Sequence, residues 1–386
     1  MKYILIHLSS NFNLRSKFPR IKETPLRIQA LVMTQITAET LHVLHPSWGN
    51  KQVPNTLVDT LEEARNRAVP AKRSKYSVNG VPFYNILSVE ELGSDGELMK
   101  EIYDQFFGEG GAGCIGFKNV FDKKTMEEYN VFCEKYIESD AKHHNNCRHP
   151  KQSGKYVINN LMEALSEQDP VLLMKLINNP LYNALMDILL GCSCIGAFTT
   201  HWIEAGADRQ LSHVDYPLHV GSGKFWQNDI RRAQSLMTAY QLNHVLPFFS
   251  VQTLIASDAM DVHNGSTEVV PYSNQIVDID VKIHDKQFYH SMEDKFMNVS
   301  LDQGDIFVFN RRLCHRGGKN LSKKRRNSAI MQCVWLFGIG QHDTDHSKII
   351  QNVRFTPSYQ QMTAAEKERF HIRLKQPYPV NTKNHN

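Results

Sequence analysis

Val299-Ser300-Leu301-Asp302-Gln303-Gly304-Asp305-Ile306-Phe307-Val308-Phe309-Asn310 is an apolar-rich run broken once by a glycine-containing turn. It reads as a strand, a tight turn and another strand. In Leu313-Cys314-His315-Arg316-Gly317-Gly318, which follows, the histidine falls just past a strand end. A basic loop then leads to Arg326 and to Asn327 through Phe337, a mostly apolar segment suited to a buried strand. Side chains alternate along a strand, so Arg326 and Ser328 share one face while Arg325 and Asn327 share the other. A guanidinium and a hydroxyl on one face bind a carboxylate through two prongs and a supporting hydrogen bond. Lys323, Lys324 and Arg325 read as a solvated basic turn.

Upstream, Ile195 to Glu204 alternates as a strand does, and Ala205-Gly206-Ala207-Asp208 makes a turn. His213-Val214-Asp215 comes next. In an extended segment positions 213 and 215 point the same way, so both side chains reach one metal ion. Together with His315 they supply two imidazoles and one carboxylate. Such a set holds ferrous iron on one face and leaves the other open, unlike the closed tetrahedron of a structural zinc site. The open face suits a chelating keto acid and O2. Arg326 and Ser328 then suit the distal carboxylate of 2-oxoglutarate. Gln210, three residues before His213, either bonds a metal-bound carboxylate or stabilises the turn.

These stretches, in their order, resemble the phytanoyl-CoA dioxygenase family of Fe(II)/2-oxoglutarate-dependent oxygenases. Gly206-Ala207-Asp208-Arg209-Gln210-Leu211-Ser212-His213-Val214-Asp215 is similar to that family's Gly-rich turn, glutamine and H-x-D segment. Asn264-Gly265-Ser266-Thr267-Glu268-Val269-Val270-Pro271-Tyr272-Ser273-Asn274 resembles its N-G-x-T-x-x-x-P-G-S-H stretch, with Tyr272 and Asn274 in place of the usual Gly and His. Gln303-Gly304-Asp305 through His315 to Arg326 resembles its G-D…H…R arm. The likeness runs from about residue 95 to 340. It implies a double-stranded β-helix, a jelly-roll or cupin-like core, with Fe(II) and 2-oxoglutarate at its mouth. The implied reaction is oxidation of an unactivated C–H bond of a small molecule with O2, by hydroxylation, desaturation or oxidative cyclisation, releasing succinate and CO2. Halogenating members lack the carboxylate that Asp215 supplies, so the resemblance does not imply a halogenase. The competing readings are a non-catalytic jelly-roll binding module that retains a metal and an acyl-CoA hydroxylase.

Composition sets the frame. The 386 residues are 41% apolar and 10% aromatic, enough for a substantial core. Helical spacing over Leu92 to Phe107, Asp122 to Ile137, Val171 to Leu176 and Pro180 to Leu190 precedes the strand-like runs. This predicts an α+β unit in which helices buttress a two-sheet barrel. Residues 1–80 carry little apolar periodicity and read as an extension, residues 81–345 as the oxygenase domain and 346–386 as a C-terminal extension. No apolar run is long enough for a membrane span. The formal charge is +4, but residues 1–32 hold six Lys or Arg against one Glu. The nearly neutral remainder argues against a nucleic-acid-binding body. The basic, Ser-containing N-terminus suits an organelle transit peptide or a surface extension, with Met33 an alternative start. Seven cysteines without a regular framework favour reduced thiols and an intracellular setting, cytoplasmic or organellar.

Other features are weaker. Tyr216 to His244 is long for a hairpin link and reads as a substrate lid or a plain insertion, with a helix over Asp229 to Tyr240. Alternate residues of Ser250 to Ala256 are expected to line the cavity. Lys224, Arg209, Arg231 and Arg232 near the lid suit an anionic substrate or a solvated surface. The histidine-rich stretches His143 to His149 and His342 to His346 lack paired ligand spacings and read as loops. Tyr272 and Trp335 read as core. The expected substrate is a small polar or carboxylated metabolite.

Overall fold

In the strand Ile306–Asn310, Ile306 and Val308 join one apolar layer while Phe307 and Phe309 join another, so alternation along the strand decides the layering. The computed structural model describes residues 57–143, 147, 154–191, 193–215, 250–277, 279–283, 285–335 and 346–374. They fall in one compact unit, Thr56–His219 with Leu246–Asn386. The expected lid, its helix and most of the N-terminal stretch lie outside the described residues.

In chain order the unit begins with α1 (Leu61–Asn66), β1 (Tyr76–Val78), β2 (Val81–Tyr84), α2 (Val89–Ser94), α3 (Gly96–Phe107), β3 (Cys114–Phe117) and α4 (Lys123–His143). Then come β4 (Lys155–Tyr156), α5 (Leu161–Gln168), α6 (Pro170–Ile177), α7 (Pro180–Leu190), β5 (Ser193–Ile203) and β6 (Ser250–Ile255). The second half holds β7 (Thr267–Val269), α8 (Ile279–Lys282), α9 (Lys286–Met292), β8 (Met297–Asn298), β9 (Ile306–Asn310), β10 (His315–Gly317) and β11 (Arg326–Trp335). It closes with α10 (His346–Val353), α11 (Pro357–Gln361) and α12 (Ala364–Arg373).

Eight strands form one sheet in the order β1-β2-β3-β9-β6-β11-β5-β4, and three form a second in the order β10-β7-β8. One face of the large sheet, carrying Phe198, Val251, Ile255, Val308, Ala329 and Met331, packs on the helices. Its other face, through Leu254, Phe307 and Phe309, meets Val269 and Met297 of the small sheet. This is a jelly-roll core buttressed by helices, as the order of elements implied. Between Asn310 and His315 the chain crosses from the large sheet to the small one. That crossing is the mouth. None of the described helices is long and apolar enough to cross a membrane.

Local chemistry explains the boundaries. Pro170 and Pro180 open α6 and α7, each behind a capping side chain, Asp169 and Asn179. The turn before β9 depends on Gly304 at φ +92°, where a Cβ would stand 2.1 Å from the Phe121 carbonyl oxygen. Tyr272, where the family pattern has Gly, adopts φ +71° and keeps the left-handed turn. Its hydroxyl donates to the Gly80 carbonyl at 3.3 Å, one contact that offsets the strain of a bulky residue there.

Two segments read as extensions carry regular elements. Residues 57–80 supply α1, which a Thr60/Glu63 capping box starts, and the edge strand β1. Residues 346–374 fold into helices that pack on α5, α6 and β5 through residues including Ile349, Val353, Phe370 and Leu374. Short elements carry too few turns for an apolar period to stand out, so tertiary burial defines them.

Phe198 is 1% exposed and its ring stacks 6.4 Å from that of Tyr129 on α4. Phe198→Ala is expected to lower the unfolding free energy by about 3–5 kcal/mol, read as a lower urea midpoint. An unchanged midpoint would mean that this layer does not carry the fold.

Candidate metal centre

Main-chain pairing builds the centre. The segment after β5 runs antiparallel to β10: His213 N–H donates to His315 O and His315 N–H to His213 O, both at 2.9 Å. Gln210 N–H donates to Gly317 O at 2.9 Å on one side, and Asp215 N–H to Arg311 O at 2.8 Å on the other. This ladder brings ligand atoms of His213, Asp215 and His315 within 4.8 Å of one another. His213 Nδ1 donates to the Leu211 carbonyl and His315 Nδ1 to the Leu313 carbonyl, each at 2.9 Å. A carbonyl only accepts, so the proton sits on Nδ1 and each Nε2 keeps its lone pair for a metal.

Charge tuning agrees with that use. Burial, with His213 alongside, drops the His315 imidazole to about 4, so it is neutral near pH 7. Burial alone would raise the Asp215 carboxyl, but the nearby His315, Arg311, His213 and Lys155 outweigh it and hold it below the usual range. A neutral His315 and an ionised Asp215 are the protonation states a divalent ion needs. The donor set therefore fits Fe(II) with an open face.

A cavity of roughly 380 Å³ lies over this edge. Its polar wall comes from alternate strand residues: Thr199 and His201 on β5, Arg326 and Ser328 on β11, Gln252 on β6. Arg326 Nη1 donates to Ser328 Oγ at 2.6 Å and Nη2 to the Gly265 carbonyl, which fixes the guanidinium plane. Its Nε is buried with no partner among the described residues. Burial lowers Arg326 to about 10, so it stays charged at neutral pH. Lys155 on β4 is 3% exposed and lines the same cavity, and its ammonium has no hydrogen-bond or ion-pair partner among the described residues. Two buried cations with spare donors fit a dianion such as 2-oxoglutarate.

The six residues singled out from sequence, His213, Asp215, His315, Arg326, Ser328 and Gln210, all line this one cavity. Gln210 has its carbonyl engaged, since Oε1 accepts from Gly317 N–H at 2.9 Å. Only its amide nitrogen remains for a ligand. Arg209 pairs with Glu268 at 3.1 Å, whereas Lys224, Arg231 and Arg232 lie outside the described residues. The same holds for most of His143 to His149 and for His342 to Asp345. Lys155 was missed, because a two-residue strand carries no period to read. His201 and Thr199 left a weak trace as polar residues at alternate positions of an apolar strand.

Two imidazoles, a carboxylate and adjoining buried cations on one sandwich edge are a set that could hold a mononuclear non-heme iron together with 2-oxoglutarate. The sequence model of the phytanoyl-CoA dioxygenase (PhyH) family matches residues 111–328, and the chain belongs to that family. It is an Fe(II)/2-oxoglutarate-dependent enzyme. Among solved structures it is similar to the epimerase SnoN in complex with Fe3+, alpha ketoglutarate and nogalamycin RO, at 15% identity, TM-score 0.46 and coverage of 64% of this chain and 89% of that one. It is also similar to SnoK, an alpha ketoglutarate-dependent carbocyclase from nogalamycin biosynthesis, at 13% identity, TM-score 0.44 and coverage of 63% and 84%. A third is AviO1 from Streptomyces viridochromogenes Tue57, at 17% identity, TM-score 0.42 and coverage of 59% and 91%. No curated protein sequence matches the chain.

Beside His315, a buried ion network braces β10. Arg316 Nε donates to Glu268 Oε2 at 2.5 Å, Nη1 donates to Glu293 at 2.9 Å, and the guanidinium lies 3.8 Å from the Phe296 ring centroid. Arg316→Met is expected to cost about 3 kcal/mol, because it leaves the buried Glu268 carboxylate stranded from its buried partner with only the half-exposed Arg209 remaining. Arg316→Met combined with Glu268→Leu should regain much of this in urea unfolding. A double variant no more stable than the single one would refute the stranded-charge account.

Proposed function

We propose that the protein oxidises an unactivated C–H bond of a small polar or carboxylated metabolite, by hydroxylation, desaturation or oxidative cyclisation, with release of succinate and CO2. The observation that carries this reading is the juxtaposition of an open His213/Asp215/His315 face with the Arg326/Ser328 cradle in one cavity. In it, His213, Asp215 and His315 hold Fe(II). Arg326 and Ser328 bind the distal carboxylate of 2-oxoglutarate. Lys155 adds a second positive charge for the same dianion, and Gln210 offers its amide nitrogen. The catalytic domain spans residues 81–345, with the C-terminal helices packed on its back.

When bound, iron and 2-oxoglutarate supply the oxidising power by activating O2 as the keto acid loses CO2. The protein's own part is placement. Ile203, Phe309 and Ile330 give the cavity apolar walls that exclude water around the substrate. The fixed Nδ1 protons keep both imidazoles aimed at the ion. A cavity of roughly 380 Å³ that also admits 2-oxoglutarate favours a compact substrate over a long acyl chain.

Anaerobic titration of the protein with Fe(II) and 2-oxoglutarate is expected to produce a visible charge-transfer band, and Asp215→Ala to lose both the band and succinate formation. Succinate release by Asp215→Ala at the wild-type rate would overturn the assignment.

Burial and the adjacent Arg326 lower the Lys155 ammonium to about 7, although Asp215 pulls it upward. A bound dianion favours the charged form, so binding above that pH takes up a proton. Affinity for 2-oxoglutarate is therefore expected to fall as pH rises from 7 to 9, by up to about tenfold per unit. Lys155→Met should weaken binding at pH 6.5 and flatten the profile in calorimetry. A wild-type profile already flat over this range would remove Lys155 from the anion site.

A further inference from the structure

Behind Asp215 the large sheet carries a polar layer that its packing does not require. Ser250, Gln252, Gln332 and Arg311 are 1%, 5%, 1% and 3% exposed. Gln252 and Gln332 are direct partners across β6 and β11. Ser250 Oγ accepts from Gln332 Nε2 at 3.2 Å and from Arg311 Nη1 at 3.4 Å. Gln252 Nε2 donates to Asp215 Oδ2 at 3.2 Å.

Two atoms of this layer, Gln252 Oε1 and Arg311 Nε, are buried with no hydrogen-bond partner among the described residues. Arg311 also has no carboxylate within ion-pair distance among them, although its carbonyl accepts from Asp215 N–H at 2.8 Å. Apolar residues at 252 and 311 would remove both penalties. Local rules broken in a buried layer mark a place where something other than stability was selected. The Gln252 amide cannot turn over, since its carbonyl oxygen would then face the Asp215 carboxylate. Its unpartnered oxygen is the consequence of aiming the NH2 at that carboxylate.

We propose that Gln252 is a positioning residue for the metal site: its amide fixes the plane of the Asp215 carboxylate, while Arg311 offsets that charge from behind. Because Asp215 projects from a segment outside the regular strands, its carboxylate lacks the steric confinement that packing gives a strand residue. A hydrogen bond from β6, an interior strand paired on both sides, ties it to the sheet. This rests on reading His213, Asp215 and His315 as the metal ligands.

The test is anaerobic titration of the full chain with Co(II), followed by its visible absorption, beside urea unfolding of each metal-free variant. Gln252→Met keeps the length and removes both the donor and the unpartnered carbonyl. It is expected to unfold at or above the wild-type midpoint yet bind Co(II) about tenfold more weakly, or worse. Gln252→Asn keeps an amide that falls short of Asp215 and should show the same weakening, which also serves should Gln252→Met fail to fold. Wild-type affinity in a folded variant overturns the proposal, as does lowered stability with affinity unchanged. Asp215→Ala separates the two readings. If it binds Co(II) like the wild type, the ligand assignment itself fails; if it loses binding while Gln252→Met does not, only the role of Gln252 fails.

Discussion

The reciprocal pair of main-chain hydrogen bonds between His213 and His315, both at 2.9 Å, is the constraint on which the rest of the site depends. Neither bond is strong once exchange with water is counted. Their effect is geometric. They close the edge between the two sheets, and a metal set that is scattered along the chain becomes one cluster. The neighbouring bonds, Gln210 to Gly317 and Asp215 to Arg311, extend the same short ladder. Because the ladder is antiparallel, residues 213 and 315 face each other directly and 215 falls beside them on the same side.

The two faces of the large sheet divide the work. Towards the helices it is apolar and close-packed, and this layer gives the barrel rigidity. Towards the cavity it places Arg326, Ser328, His201 and Gln252 in register across three adjacent strands. Buried charges are expensive, and this protein pairs the ones that serve structure, such as Arg316 with Glu268 and Lys118 with Asp305. Lys155 and Arg326 instead face the cavity without a carboxylate partner, and Arg311 lies behind Asp215. Their uncompensated charge is concentrated around the cavity and the His213/Asp215/His315 cluster.

Much of this could be read along the chain. The register of Arg326 with Ser328 is a two-residue property: alternation puts both on one face, where they meet at 2.6 Å. The helix that Pro180 starts and the strand after the Gly304 turn were equally legible, since their signals are local; before that turn, where a strand from Val299 was expected, only an isolated bridge at Leu301 stands. Tyr272 at φ +71° was not, because nothing in a tyrosine announces a left-handed backbone. The helices after residue 346 and the short α1 were also hidden, as each is defined by the surface it covers.

What the sequence by itself determined is the chemistry: which ligand types exist, which neighbours share a face, and hence that iron and 2-oxoglutarate are the groups this set can hold. Only the tertiary structure decided the company those ligands keep. Lys155 reaches the cavity because β4 pairs with the end of β5, and Gln252 reaches Asp215 because β6 lies next to β9, whose continuation at Arg311 pairs with Asp215. Such contacts join residues far apart in the chain. They are selected by burial of the whole sandwich, so no local pattern of residues encodes them.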